Sequence, residues 1–177
     1  MTAPELRSFH LGIVVRSLDE TLQQYSAMFD VERWHRQKWR FNGLEMAYGR
    51  GGGQTFELFE VTGPGDSHIH QFFDQRGPGV NHIGFWCEDV AGAAQRAVAA
   101  GAELMTLTAD PEGNATATLI PPPDVAAQHF EHLGLVTFVN PSGGVLVEYV
   151  GRAGEEYLRG WFKDDFPNVV IDSPWLA

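Results

Sequence analysis

The chain has 177 residues, of which 44% are hydrophobic and 20% charged, a composition that excludes disorder and fits one globular domain spanning residues 1–177. Its 12 basic and 23 acidic residues leave a formal charge of −11, which repels nucleic acid and anionic membranes unless positive charges cluster. The one cysteine, Cys87, excludes an intrachain disulfide, and the apolar run Leu11–Val15 is too short for a signal or membrane segment, so a cytoplasmic location is expected.

In chain order, Phe-His-Leu-Gly-Ile-Val-Val at 9–15 alternates as a strand does, and Ser17 stands where a helix N-cap belongs. Leu18, Leu22, Tyr25 and Phe29 then carry helical spacing. Three strands are predicted next, over Val31–Arg40, Leu44–Tyr48 and Thr55–Val61, with Gly51-Gly52-Gly53 making the last turn. A short helix is expected within Asp66–Gln75.

Residues 81–90, Asn-His-Ile-Gly-Phe-Trp-Cys-Glu-Asp-Val, then repeat the order of residues 9–18. Asp89 takes the N-cap place, Val90, Ala94, Ala97 and Val98 follow helical spacing, and Gly101 ends the helix. Further strands are predicted at Glu103–Leu107, Ala115–Ile120, Leu135–Val139 and Val145–Val150, with a turn at Asn140–Gly144. Asp110–Pro123 reads as a loop or lid. The expected fold class is α+β. Two tandem βαβββ modules, about 8–62 and 80–151, would form a curved half-barrel mixed sheet with helices outside, followed by an arm over 152–177.

Strand alternation puts His10, Gly12 and Val14 on one face and Leu11, Ile13 and Val15 on the face beneath the helix. His82, Gly84 and Trp86 take the first role in the second module. Glu57 lies between Phe56 and Leu58, and Glu148 between Val147 and Tyr149. An ionised carboxylate flanked by apolar residues is costly to bury without a partner. One His and one Glu from each repeat would satisfy one another around a divalent cation. Any one of them alone reads equally well as a core residue bonded to a neighbour. Nitrogen and oxygen donors without thiolate suit Zn, Ni, Co, Mn or Fe(II), and do not choose among them.

His35, His68, His70, His129 and His132 fall off the repeat positions and read as surface groups or as neighbours of the ligands. Arg33, Arg36, Lys38 and Arg40 form the one basic cluster, either a solvated strand face or the landing place of an anionic ligand tail.

The segments at 9–15, 56–60, 81–85 and 144–149 resemble the vicinal oxygen chelate superfamily, which includes glyoxalase I, methylmalonyl-CoA epimerase, extradiol dioxygenases and fosfomycin- and bleomycin-resistance proteins. The resemblance implies a single metal site formed by His10, Glu57, His82 and Glu148. The stretch from Glu57 through Thr62–Ser67 to Val80–Ile83 is similar to the epimerase group in particular. By that likeness Glu45, in Gly43-Leu44-Glu45-Met46-Ala47, matches the place of a second acid/base. The segment Asp110–Gly134 and the tail after Gly151 depart from the family pattern by their length.

The implied activity is a metal-dependent epimerase or isomerase that moves a proton next to a carbonyl through a stabilised enolate, on a substrate such as an acyl-CoA. Glu148 and Glu45 would be the catalytic groups. A glyoxalase-I-like lyase shares the ligands. An extradiol dioxygenase or an antibiotic-resistance binding protein are further alternatives, disfavoured by the four-residue set. Members of the superfamily often dimerise, so a homodimer is expected. The aromatic arm would pack either on a partner subunit or on its own chain.

Overall fold

Alternation in the first strand, β1 (Leu6–Val15), organises half of a computed structural model that describes residues 6–38, 43–65, 67–109, 115–119, 136–140 and 144–152. Most of the expected lid, the arm from 153 onward, His129, His132 and Arg40 lie outside the described residues. The elements are α1 (Leu18–Phe29), β2 (Trp34–Lys38), β3 (Leu44–Gly51), β4 (Gln54–Val61) and α2 (His68–Arg76), then β5 (Gly79–Cys87), α3 (Val90–Ala99), β6 (Glu103–Ala109), β7 (Ala115–Leu119), β8 (Val136–Asn140) and β9 (Leu146–Val150). The class is mixed α+β. None of these helices is long and apolar enough to cross a membrane.

The chain divides into two units, one comprising Phe9–Ile83 with Thr108–Ala117, the other Met1–Ser8, Gly84–Leu107 and Thr118–Ala177. In the first unit the strand order is β2-β3-β4-β1, with the start of β5 beside β1. β1 and β4 run parallel, Gly12 opposite Glu57, while β3 pairs antiparallel with β2 and β4. The β3–β4 hairpin closes through Gly52 and Gly53, at φ 58° and 76°. Two successive positive φ angles are what a two-residue hairpin needs and what a side chain resists.

Register sorts the side chains of this unit into two faces. Leu11, Ile13, Val15, Phe56, Leu58 and Ala47 meet Leu18, Leu22, Tyr25 and Phe29 of α1 in one apolar cluster. The chain enters α1 through the predicted cap, the Ser17 hydroxyl accepting from the Glu20 amide at 3.3 Å. Glu60, on the same face of β4, accepts the Leu18 amide at 2.7 Å and ties the helix N-terminus to the sheet. The opposite face carries His10, Gly12 and Val14, Glu57 and Phe59, and Met46 and Tyr48.

The second unit repeats the plan. Its strands follow the order β5-β9-β8-β6, so β6, β8 and β9 take the places of β2, β3 and β4. β7 is a further strand at the end of the row, and its first three residues, 115–117, belong to the first unit. Phe85, Cys87, Val147 and Tyr149 pack on Val90, Ala93, Ala94 and Ala97 of α3. The Asp89 carboxylate caps α3 by accepting from the Gly92 amide at 2.8 Å. The helix stops at Ala100, and Gly101 follows at φ 95°, the left-handed residue expected there.

Candidate metal centre

Three of the predicted ligands meet within the first unit. His10 on β1, Glu57 on β4 and His82 on β5 are 3%, 9% and 2% exposed. The two Nε2 atoms are 2.8 Å apart, and one carboxylate oxygen, Glu57 Oε2, lies 3.2 Å from His10 Nε2 and 3.1 Å from His82 Nε2. Donor atoms bonded to one small divalent ion at about 2.0–2.2 Å stand roughly 3–3.4 Å from one another. The triangle has nearly that size.

Proton counting is consistent with an ion there. His82 Nδ1 is 2.9 Å from Asn81 Oδ1, an atom that only accepts. The imidazole therefore donates from Nδ1, and its neutral form presents a bare lone pair at Nε2. That lone pair faces Glu57 Oε2 and His10 Nε2, a place that a divalent ion fits and that the Nε2–H of His10 fits equally. The resulting attraction acts on Glu57. Burial alone would push its carboxyl up, but the charge and hydrogen bonds of His10, with those of His82, outweigh burial and hold it well below the usual carboxylate range.

Glu148, the fourth predicted ligand, belongs to the second unit. It is 6% exposed on β9, between Val147 and Tyr149, both of which turn toward α3. Glu148 thus faces away from the helix of its half, as Glu57 faces away from α1.

Glu45 is placed otherwise than expected. It pairs in register with Glu60, on the α1 face of the sheet, whereas Tyr48 pairs with Glu57. A strand changes face at every residue, so Glu45 points away from His10, Glu57 and His82, and the buried Met46 takes their face. Its carboxylate is held by Arg36, from Nε at 3.1 Å and Nη2 at 2.8 Å, and Arg36 also donates to Asp19 of α1. These hydrogen bonds raise the guanidinium pKa, Glu45 first and Asp19 next, against a smaller loss from burial. Arg36 is therefore part of a strand-to-helix tie, not of an anion platform.

Two histidines set aside in the sequence have defined places. His70 is buried, its Nε2 donating to the Gly63 carbonyl at 3.2 Å while its Nδ1 accepts from the Ser67 hydroxyl at 2.8 Å. It clasps the segment before α2 to the first turn of that helix, so it is no surface group. His68, the first residue of α2, is half-buried. Burial, then the charge of His82, lower its pKa to about 4 against the pull of Glu57, with His70 adding a little. His35 on β2 also titrates low, through burial and then Arg33. Asn81 is the residue that sequence reasoning passed over. Its adjacency to a candidate ligand was the only available signal.

A protein family described as the glyoxalase/bleomycin resistance protein/dioxygenase superfamily matches residues 9–120. Curated proteins give no match. Among solved structures, a hypothetical protein from Bacillus halodurans is 20% identical, with a TM-score of 0.59 over 84% of this chain and 95% of its own. Methylmalonyl-CoA epimerase from Mycobacterium tuberculosis is 22% identical, with a TM-score of 0.56 over 85% of this chain and 91% of its own. A Streptomyces coelicolor methylmalonyl-CoA epimerase variant in complex with 2-nitronate-propionyl-CoA is 25% identical, with a TM-score of 0.56 over 83% and 97%.

Proposed function

Because this chain belongs to the glyoxalase/bleomycin resistance protein/dioxygenase superfamily, we propose that it is a divalent-metal-dependent isomerase or epimerase acting by proton transfer next to a carbonyl. The observation that carries this reading is the triangle of His10, Glu57 and His82 donor atoms, 2.8–3.2 Å on a side. Glu148 completes the ligand set in this proposal. It occupies the repeat position of Glu57 and faces away from its helix in the same sense. The likeness to methylmalonyl-CoA epimerases points to an acyl-CoA as the substrate class.

A bound divalent ion supplies Lewis acidity, stabilising the negative charge that gathers on a substrate oxygen when the adjacent C–H proton leaves. The protein supplies the rest. His10 and His82 hold neutral nitrogen donors at fixed positions. Glu57, whose carboxyl the charge and hydrogen bonds of His10 and His82 hold low in the metal-free protein, would serve as an anionic ligand and not as an acid. Glu148 is the group that takes the proton and gives it back. The enzyme is expected to work in the cytoplasm as a homodimer.

The position of Glu45 favours a second reading, a glyoxalase-I-like reaction. Two bases on opposite sides of the substrate give epimerisation, whereas one base shuttling between adjacent carbons gives isomerisation. With Met46 on the site face and Glu45 behind the sheet, β3 offers no second carboxylate.

Protein purified without chelator should carry one divalent ion per chain, and His10→Ala/His82→Ala protein should carry none. Wild type should wash deuterium from the solvent into acyl-CoA or 2-oxo substrates. Retention of full metal by the double variant, or no exchange into either class, would overturn the proposal. Inversion at the exchanged carbon identifies an epimerase; a shifted carbonyl identifies the glyoxalase-like reaction.

A further inference from the structure

We infer that Asn81 is a positioning residue that fixes the tautomer of His82 and so delivers Nε2 to the metal centre as an unprotonated donor. The inference rests on the metal reading above but is carried by different atoms. Asn81 is 2% exposed and among the most fully enclosed side chains of the chain. A buried amide requires partners, and its Oδ1 takes the His82 Nδ1 proton at 2.9 Å. Side chains of neighbouring strand residues normally point apart. Here they meet, so the pairing is imposed by the surroundings and not by strand geometry.

The consequence follows from imidazole chemistry. A neutral ring carries one proton, and an acceptor at Nδ1 leaves Nε2 bare. Without that acceptor, Nε2 would hold the proton much of the time and turn an N–H toward Glu57 Oε2, 3.1 Å away. His82 would then be a hydrogen-bond donor to Glu57, competing with any cation for the same position. Partners that orient a metal-ligating histidine through its second nitrogen are usually carboxylates, backbone carbonyls or water. Asn81 does this with a neutral amide. It orients the ring without adding negative charge.

The test combines a measurement that involves no metal with one that does. In chelated wild-type protein above pH 7, nitrogen-15 shifts of the His82 ring should show Nδ1 protonated and Nε2 bare. Asn81→Leu, similar in size but without an acceptor, should move the proton toward Nε2. It should also weaken Zn(II) affinity by roughly 10- to 100-fold in a chelator competition. Asn81→Asp keeps an acceptor and adds charge, and it should restore the tautomer and bind Zn(II) at least as tightly as wild type. A wild-type ring protonated at Nε2 would overturn the inference, with or without a foldable Leu variant. So would unchanged Zn(II) affinity in folded Asn81→Leu protein. If wild type binds no Zn(II), the metal reading fails, and the nitrogen-15 result still decides the role of Asn81.

Discussion

Gly12 on β1 lies against the imidazole of His82. A methyl group on its Cα would stand 2.0 Å from His82 Cε1 and 2.3 Å from Nε2, distances that no packed carbon adopts. The glycine is therefore the space into which the His82 ring fits, and no turn or positive φ is needed to explain it. Gly12→Ala should leave a folded protein, because the ring it displaces is the end of a side chain and can swing away. The displaced Nε2 would leave the triangle with His10 and Glu57. Circular dichroism should be unchanged and bound metal lost. Full metal content in the alanine variant would show that His82 is not a ligand where it now lies.

Glu45 and Glu148 should separate cleanly. Glu45→Gln removes a half-exposed ion pair with Arg36, worth about 0–1 kcal/mol in similar settings, and should leave turnover and metal content within twofold of wild type. Glu148→Gln should lower turnover by about 100-fold or more, as loss of a general base does. A large loss of turnover in Glu45→Gln, with metal retained, would return that residue to the mechanism despite its face of the sheet.

The face of Glu45 shows how far a sequence can be read. The repeat of His-aliphatic-Gly put His10 and His82 on the face away from the helices, where they lie, because both strands present three or more apolar residues on the helix face, and those fix the register. Glu57 followed from the same alternation. In β3 the run Leu44-Glu45-Met46-Ala47-Tyr48 is apolar on both faces apart from one carboxylate, so its pattern does not say which face is which. A one-residue slip exchanges the two, and only pairing with β4 decides. The further strand β7 was legible as a segment, but its place at the end of a row was not. The Asn81 contact depends on a pairing of adjacent side chains that alternation argues against.

Ser67 is expected to matter for stability more than for chemistry. Its hydroxyl gives its proton to His70 Nδ1 at 2.8 Å and accepts the His70 amide at 3.4 Å as the N-cap of α2. Ser67→Ala removes the cap, worth about 1 kcal/mol, and leaves a buried ring nitrogen without its donor, worth about 1–3 kcal/mol. Urea unfolding of metal-free protein should show a loss of that combined order. A loss under about 0.5 kcal/mol would mean that the clasp contributes little.

Cys87 should be inert in the folded protein. Burial pushes its thiol up, further than the Asp89 backbone bond brings it down, and it packs among Val90, Ala94 and Tyr149. A disulfide reagent at about pH 8 should label it only as fast as the protein opens, and at full rate in denaturant. Rapid labelling under native conditions would contradict the packing of α3 on β5 and β9.

His68 gives the pH dependence a sign. Its folded-state pKa is about 4, below the ordinary 6.5, because burial and the neighbouring His82 oppose its charge. Between those two values the unfolded chain binds the proton and the folded chain does not. The contribution of His68 to stability is therefore complete above about pH 6.5 and is lost progressively as the pH falls toward about 4. Wild-type and His68→Gln proteins, both metal-free, can be compared by urea unfolding at about pH 7.5 and about pH 5. Glutamine does not titrate, so acid-sensitive groups remote from position 68 act equally in both proteins and cancel in the difference. Wild type should lose more stability than His68→Gln on moving to the lower pH. Equal losses would place the His68 ring in contact with water, where it protonates as readily as in the unfolded chain.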